Sequence, residues 1–222
     1  MSLIEDNLNK VLSTLPQGVR LVAGSKFHPA DMVREAYDAG QRLFGENRPQ
    51  ELKEKYALLP KDIEWHMIGH LQTNKVKFVV GKVDMIESVD SVKLAREIEK
   101  RCAAIGKTME FLLEVNIAGE ESKSGFDYDE IPAAVEEIGK MSHLKLRGFM
   151  TIGRFGAEIE ETRGYFQKMR ALLVDIGSEK IHNKDISILS MGMSGDYEVA
   201  VQEGAAIVRV GRGLFGERKS VM

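Results

Sequence analysis

Short apolar runs alternate with longer amphipathic stretches along almost the whole chain. The runs are VRLVAGS from Val19, RLFGE from Arg42, EWHMIG from Glu64, VDMIESV from Val83, MEFLLEVNI from Met109, LRGFMTI from Leu146, ISILSMG from Ile186 and AIVRVG from Ala206. They are rich in strand-forming residues and lack clean polar alternation, as expected of strands buried on both faces and therefore paired in parallel. Strand, helix, strand, repeated eight times, predicts an α/β chain folded as a single (β/α)8 TIM-type barrel. An open doubly wound sheet is the alternative, and only the strand count separates the two. No Pro/Ser-rich linker divides the chain, so residues 1–222 read as one domain.

The stretches between the runs carry helix signals. Ile4, Leu8, Val11, Leu12 and Leu15 recur at helical spacing, and Pro16 with Gly18 closes the segment, predicting an extra N-terminal helix. In SVKLAREIEKRCAAIG, Ser91 can cap the start, while Leu94, Ala95, Ile98, Cys102 and Ile105 form an inward stripe that Gly106 ends. PADMVREAYDAG starts on Pro29, tolerated in a first turn, and stops at Gly40. AGEESKSGF, between the fifth and sixth runs, is expected to be a mobile loop on the functional face.

Composition narrows the class of ligand. Lysine and arginine total 31 against 34 acidic residues, for a net charge of -3. That balance offers no electrostatic footprint for nucleic acid and no polybasic anchor for a membrane, which leaves a small molecule as the expected partner. Cys102 is the single cysteine, so no internal disulfide or cysteine-built metal site exists; its place in a helix stripe makes it buried filler. MSLIEDNLNK lacks the basic-then-apolar order of a signal peptide, and no apolar run approaches the ~18 residues needed to span a bilayer. A cytoplasmic location is expected. No histidine or carboxylate spacing makes a metal site.

In a barrel of this type, functional groups gather where strands pass into the following helices. Lys26 lies just past the first run, and Glu46, Asn47 and Arg48 lie past the second. His70, with Gln72 and Asn74, follows the third, whereas His66 reads as a core or inner-wall histidine and Trp65 as facing the helices. MGMSGD ends the seventh run and VRVGRGLFG the eighth. Those two loops are the usual phosphate site of the architecture, where free backbone N–H groups meet an anion. Ser194 offers a hydroxyl there, Gly195 and Gly211 allow close approach of the backbone, and Gly213 and Gly216 keep the second loop supple. Arg209 interrupts an apolar run and must find a partner or reach the mouth: a loop carboxylate, the anion, or the ring that carries the anion. A phosphate grip facing a lysine suits a phosphorylated aldehyde or ketone, since partial burial and a nearby cation favour the neutral amine that attacks a carbonyl.

The strings LVAGSKFHP, EAYDAGQRLFGENRPQEL, WHMIGHLQTNK, KSGF, LRGFMTIG and LSMGMSGDYEVAVQEGAAIVRVGRGLFGER, taken in order over nearly the whole chain, resemble the pyridoxal phosphate homeostasis proteins. The resemblance implies a barrel related to the N-terminal domain of alanine racemase, carrying pyridoxal 5'-phosphate (PLP) as an aldimine on Lys26. It implies Asn47 beside the cofactor, with Ser194, Gly195, Arg209 and Gly211 around its phosphate. It further implies a monomer that passes PLP to apo PLP-dependent enzymes. Where many relatives carry a small hydroxyl residue after the glycine of the eighth loop, this chain has Arg212 and then Gly213.

A racemase built on this cofactor needs a second proton-transfer group opposite the lysine. Tyr37, Tyr56, Tyr128, Tyr165 and Tyr197 all fall in helix-like stretches, and none is an obvious second base. A cationic arginine near the pyridine nitrogen would oppose the proton that stabilises a carbanion. The expectation is therefore a carrier and not a catalyst. A PLP-dependent racemase or lyase of weak activity and a Schiff-base aldolase acting on phosphosugars are the alternatives.

Overall fold

The computed structural model describes residues 2–120, 122–178 and 185–217. Helix α1 (Leu3–Thr14) opens with a reciprocal cap, in which Ser2 Oγ accepts the Glu5 N–H and the Glu5 carboxylate accepts the Ser2 N–H. Its buried face is Ile4, Leu8 and Val11; Leu12, expected on that face, is 44% exposed. The strands follow as β1 (Arg20–Gly24), β2 (Leu43–Glu46), β3 (Glu64–Met67), β4 (Met85–Val89), β5 (Met109–Glu114), β6 (Leu144–Met150), β7 (Ile188–Ser190) and β8 (Ile207–Val210). Every consecutive pair is parallel, and β8 returns to pair with β1, Arg209 lying opposite Val22. The sheet is a closed barrel, which rules out the open doubly wound alternative.

Helices α2 (Ala30–Asp38), α3 (Pro49–Leu58), α4 (Val76–Val79), α5 (Val92–Ala104), α6 (Ile131–Ile138), α7 (Ile159–Ser178), α8 (Tyr197–Gln202) and α9 (Arg212–Phe215) follow their respective strands. Ser91 caps α5 by accepting the Leu94 N–H at 3.2 Å, and Gly106, at φ +63°, ends it. Ile105 was expected on the inward stripe; it occupies the C-cap, beyond the last helical turn, and turns outward with 54% exposure.

Two packing layers result. Outward-facing strand residues such as Ala23, Phe44, Phe111 and Val208 meet the helices, and Trp65 lies there against Phe44, as expected, with ring centroids 5.8 Å apart. Inside the barrel, Val22, Leu43, Ile68 and Ile207 form one cluster and Met85, Leu112 and Met150 another. The inner space is full: a Cβ on Gly45 would come within 2.6 Å of both Ile68 Cδ1 and Val22 Cγ1. A ligand of the barrel would therefore sit at its mouth and not inside it. None of the helices among the described residues is long and apolar enough to cross a membrane, and those residues include no metal-binding group of three or more His, Cys, Asp or Glu.

Candidate functional site

Lys26 follows β1 and is half-buried. The next residue, Phe27, has φ +66°, a left-handed conformation that costs a side-chain-bearing residue about 1–2 kcal/mol. Lys26 Nζ lies 4.9 Å from the centroid of its ring and the Arg48 guanidinium 4.3 Å from it. His28 stacks on Phe215 at 4.9 Å, tying this turn to α9. Below lies a buried ionic clamp. Glu46, fully buried, accepts from Ser25 Oγ at 2.7 Å and from the Asn47 N–H at 3.0 Å, and pairs with the buried ammonium of Lys55. Lys55 Nζ also donates to the Ser25 carbonyl at 2.7 Å. The turns that present Lys26 and Asn47 thus share one scaffold.

The loops after β7 and β8 sit against the end of β1. Gly211 lies so close to Gly24 that a Cβ on Gly211 would be 3.0 Å from the Gly24 carbonyl oxygen. Ser194 Oγ accepts the Gly213 N–H at 3.0 Å, joining the two loops. Gly195 is exposed, with open space where a Cβ would be, and among the described residues neither its N–H nor that of Ser194 meets a backbone acceptor. The exposed Arg212 side chain lies 3.7 Å from Glu217.

Arg209 lies deeper than these loops. Its guanidinium donates to Ser190 Oγ at 2.6 Å and to the Thr151 carbonyl at 2.7 Å, inside the barrel wall. Ser190 Oγ donates a hydrogen bond to Glu87 Oε2 at 2.5 Å, and Glu87 Oε1 lies 2.6 Å from His66 Nδ1. His66 Nε2 reaches Glu64 Oε1 at 3.2 Å, and Glu64 pairs with Arg20 at 2.6 Å on the opposite rim. Burial would lower the His66 pKa, but its hydrogen bonds to the Glu64 and Glu87 carboxylates and their charges outweigh it and raise it to about 9. Burial would likewise raise the Glu87 carboxyl, whereas His66, Arg209 and Ser190 hold it below the usual carboxylate range. The expected inner-wall histidine is therefore cationic, and the guanidinium's partners are Ser190 and a carbonyl, with Glu87 supplying charge at one remove.

A family model described as "Alanine racemase, N-terminal domain" matches residues 1–219. A pyridoxal phosphate homeostasis protein of Aquifex aeolicus is 45% identical over 201 residues, covering 90% of this chain and 87% of its own. The human protein of the same name is 43% identical, covering 90% of this chain and 76% of its own. This chain belongs to the pyridoxal phosphate homeostasis family. PipY of Synechococcus elongatus, 38% identical, has been solved with PLP bound and superposes with a TM-score of 0.89, covering 96% of this chain and 100% of its own. Alanine racemase of Clostridium difficile, at 17% identity and a TM-score of 0.74 with 98% of this chain and 57% of its own covered, shares the fold.

Within this homeostasis-family barrel, residues 118–120 and 122–126 lie at the mouth, as expected, and make hydrogen bonds to their surroundings. Phe126 N–H donates to the Glu114 carbonyl at 2.8 Å, Lys123 Nζ to the Gly153 carbonyl at 3.0 Å, and Ser124 Oγ lies 3.2 Å from His70 Nδ1; Glu121 is outside the described residues. His70, a mouth residue as expected, is held by Asp90 at 2.7 Å. Each tyrosine lies on an outer helix or turn, Tyr197 for instance meeting Thr14 at 3.0 Å. Several residues escape sequence reasoning, Lys55 and Glu114 among them. Lys55 looked like any helix charge, although it follows Leu52 on the inward face of α3. Glu114 ends β5 with its side chain inward, in step with Leu112, and is 7% exposed. Its Oε2 is buried with no hydrogen-bond partner, and desolvation first, then Asp90, raise its carboxyl to about 7, against the pull of Arg209 and His70. The available signal was a carboxylate interrupting an otherwise apolar strand.

Proposed function

We propose that this chain binds pyridoxal 5'-phosphate at the barrel mouth, holds the aldehyde as an imine on Lys26 Nζ, and serves intracellular PLP homeostasis by releasing it to apo-enzymes that use it. The observation that carries the reading is the meeting of Lys26 with the glycine-lined loops after β7 and β8, through the contact of Gly24 with Gly211. The residues fit the group. Ser194, Gly195 and Gly211 offer a hydroxyl, unengaged N–H groups and close backbone approach to a phosphate. Asn47, half-buried at the end of β2, is fixed by Glu46 beside the lysine turn. Arg209, deeper and locked to Ser190 and Thr151, suits the ring and not the phosphate. The PLP-bound relative PipY supports the choice of cofactor.

Bound there, the cofactor supplies a reactive aldehyde carbon, and the chain holds it without consuming it. A permanent guanidinium against the ring disfavours carbanion chemistry, and the tyrosines on outer helices supply no second base. The purified protein should take up PLP with the visible absorbance of an imine. Borohydride reduction and peptide mapping should then place the pyridoxyl group on Lys26. A label on another lysine, or none, overturns the reading. α-Proton exchange of amino acids at enzymatic rates would instead favour a racemase or lyase.

A further inference from the structure

We propose that Glu114, with Asp90 beside it, forms an ammonium subsite at the barrel mouth that receives the primary amine collecting the aldehyde from Lys26. The inference rests on the function proposed above. In the eight-strand ring β5 stands diametrically opposite β1, so Glu114 and Lys26 face each other across the mouth. A flat ligand between them would be approached by a second amine from the Glu114 side.

Glu114 Oε2 is buried with no partner, and a carboxylate oxygen withdrawn from water without a donor is costly unless a ligand provides one. Asp90, with 11% side-chain exposure, adds charge of the same sign and acts on Glu114 electrostatically. The other charged groups acting on Glu114 are Arg209 and His70. Arg209 is committed to Ser190 and Thr151, and His70 to Asp90 and Ser124. Neither donates to Glu114, so an incoming N–H is the missing donor. A cavity of ≈ 410 Å³ beside the mouth is lined by Asp90 together with His70, Gln72, Asn74 and Lys93.

The exchange balances. The incoming ammonium gives one proton to the Glu114 carboxylate and two, in turn, to the Lys26 nitrogen. A C–N bond forms to the amine as the C–N bond to Lys26 breaks, and Lys26 departs as a neutral amine. The amine comes either from a protein lysine or from a free amino acid.

Native protein and the Glu114→Gln and Asp90→Asn variants, loaded with PLP, would be mixed with Nα-acetyl-lysine amide, glycine or hydroxylamine, and loss of the imine absorbance followed. Glu114→Gln should slow release to the ammonium-bearing probes by about tenfold or more, leaving the rate with hydroxylamine, uncharged at neutral pH, unchanged. The probe that loses more identifies the source of the amine. In protein without PLP, the 13C resonance of the Glu114 carboxyl should shift on titration with methylammonium, a readout independent of turnover. Equal slowing with hydroxylamine, or native rates with every probe, overturns the subsite while the PLP reading stands. Native protein with no imine absorbance overturns both.

Discussion

Lys55 shows how much of a functional turn rests on a residue that touches no ligand. Its ammonium, buried beneath Lys26, meets Glu46 and the Ser25 carbonyl, and Glu46 also fixes the Asn47 N–H. Removing either partner strands a buried charge, which costs about 3–5 kcal/mol. Lys55→Met and Glu46→Gln should each lower the urea midpoint accordingly, and the double variant should recover most of the loss because neither charge is then orphaned. Additive losses in the double variant would show that the two side chains act separately. Lys26, Asn47, Ser194, Gly195 and Gly211 were legible as candidates because each stands where a strand ends, a position that run length reveals. Glu46 was seen at a strand end too, but its role depends on Lys55, nine residues on and packed against it only after α3 forms. Glu114 is hidden for the same reason: its neighbours come from other strands.

At the scale of elements, the sequence pattern carried the alternation of strands and helices but not their irregularities. The β6 strand begins at Leu144, earlier than the apolar run from Leu146, and its register against β5 shifts between Phe111 and Leu112. Gly148 absorbs that shift with φ +153°, and a Cβ there would stand 1.9 Å from the Ile188 carbonyl oxygen. A backbone atom of the neighbouring strand cannot yield as a side chain would. Gly148→Ala should therefore cost about 3 kcal/mol or more by urea denaturation. Gly164, inside α7 with open space around its would-be Cβ, is the control. There, alanine should stabilise by about 0.5–1 kcal/mol, since a helix interior favours it over glycine. A Gly148→Ala protein with native stability would mean that β6 and β7 can part at no cost. What separates the two glycines is what each one faces: the Ile188 backbone stands over Gly148, whereas nothing lies within 4 Å of a Cβ on Gly164.

Across the whole molecule, an unbroken string of polar groups threads the barrel from rim to rim: Arg20, Glu64, His66, Glu87, Ser190, Arg209 and the Thr151 carbonyl. Charges alternate along it, with Ser190 standing between Glu87 and Arg209, so the buried ions partly offset one another's desolvation. His66, facing Glu64 and Glu87, is the member whose protonation differs between the folded and unfolded chain above neutral pH. Its pKa rises from 6.5 in the unfolded chain to about 9 in the folded one. A pKa raised by folding gives stability that is fully present below pH 6.5 and is lost as the pH climbs through 9. The span corresponds to a contribution on the order of 3 kcal/mol. The urea midpoint should fall between pH 6.5 and pH 9.5 in the native protein. His66→Asn, already less stable at pH 6.5, should fall far less over the same interval. Cys102, a thiol pushed up to about 11 by burial, also favours the unfolded state at high pH, but it is common to both proteins and drops out of the difference. Parallel pH profiles for the two would mean that His66 is neutral inside the barrel. The negative charge of Glu87 would then be balanced by Arg209 alone, tying the guanidinium at the mouth more tightly to the wall.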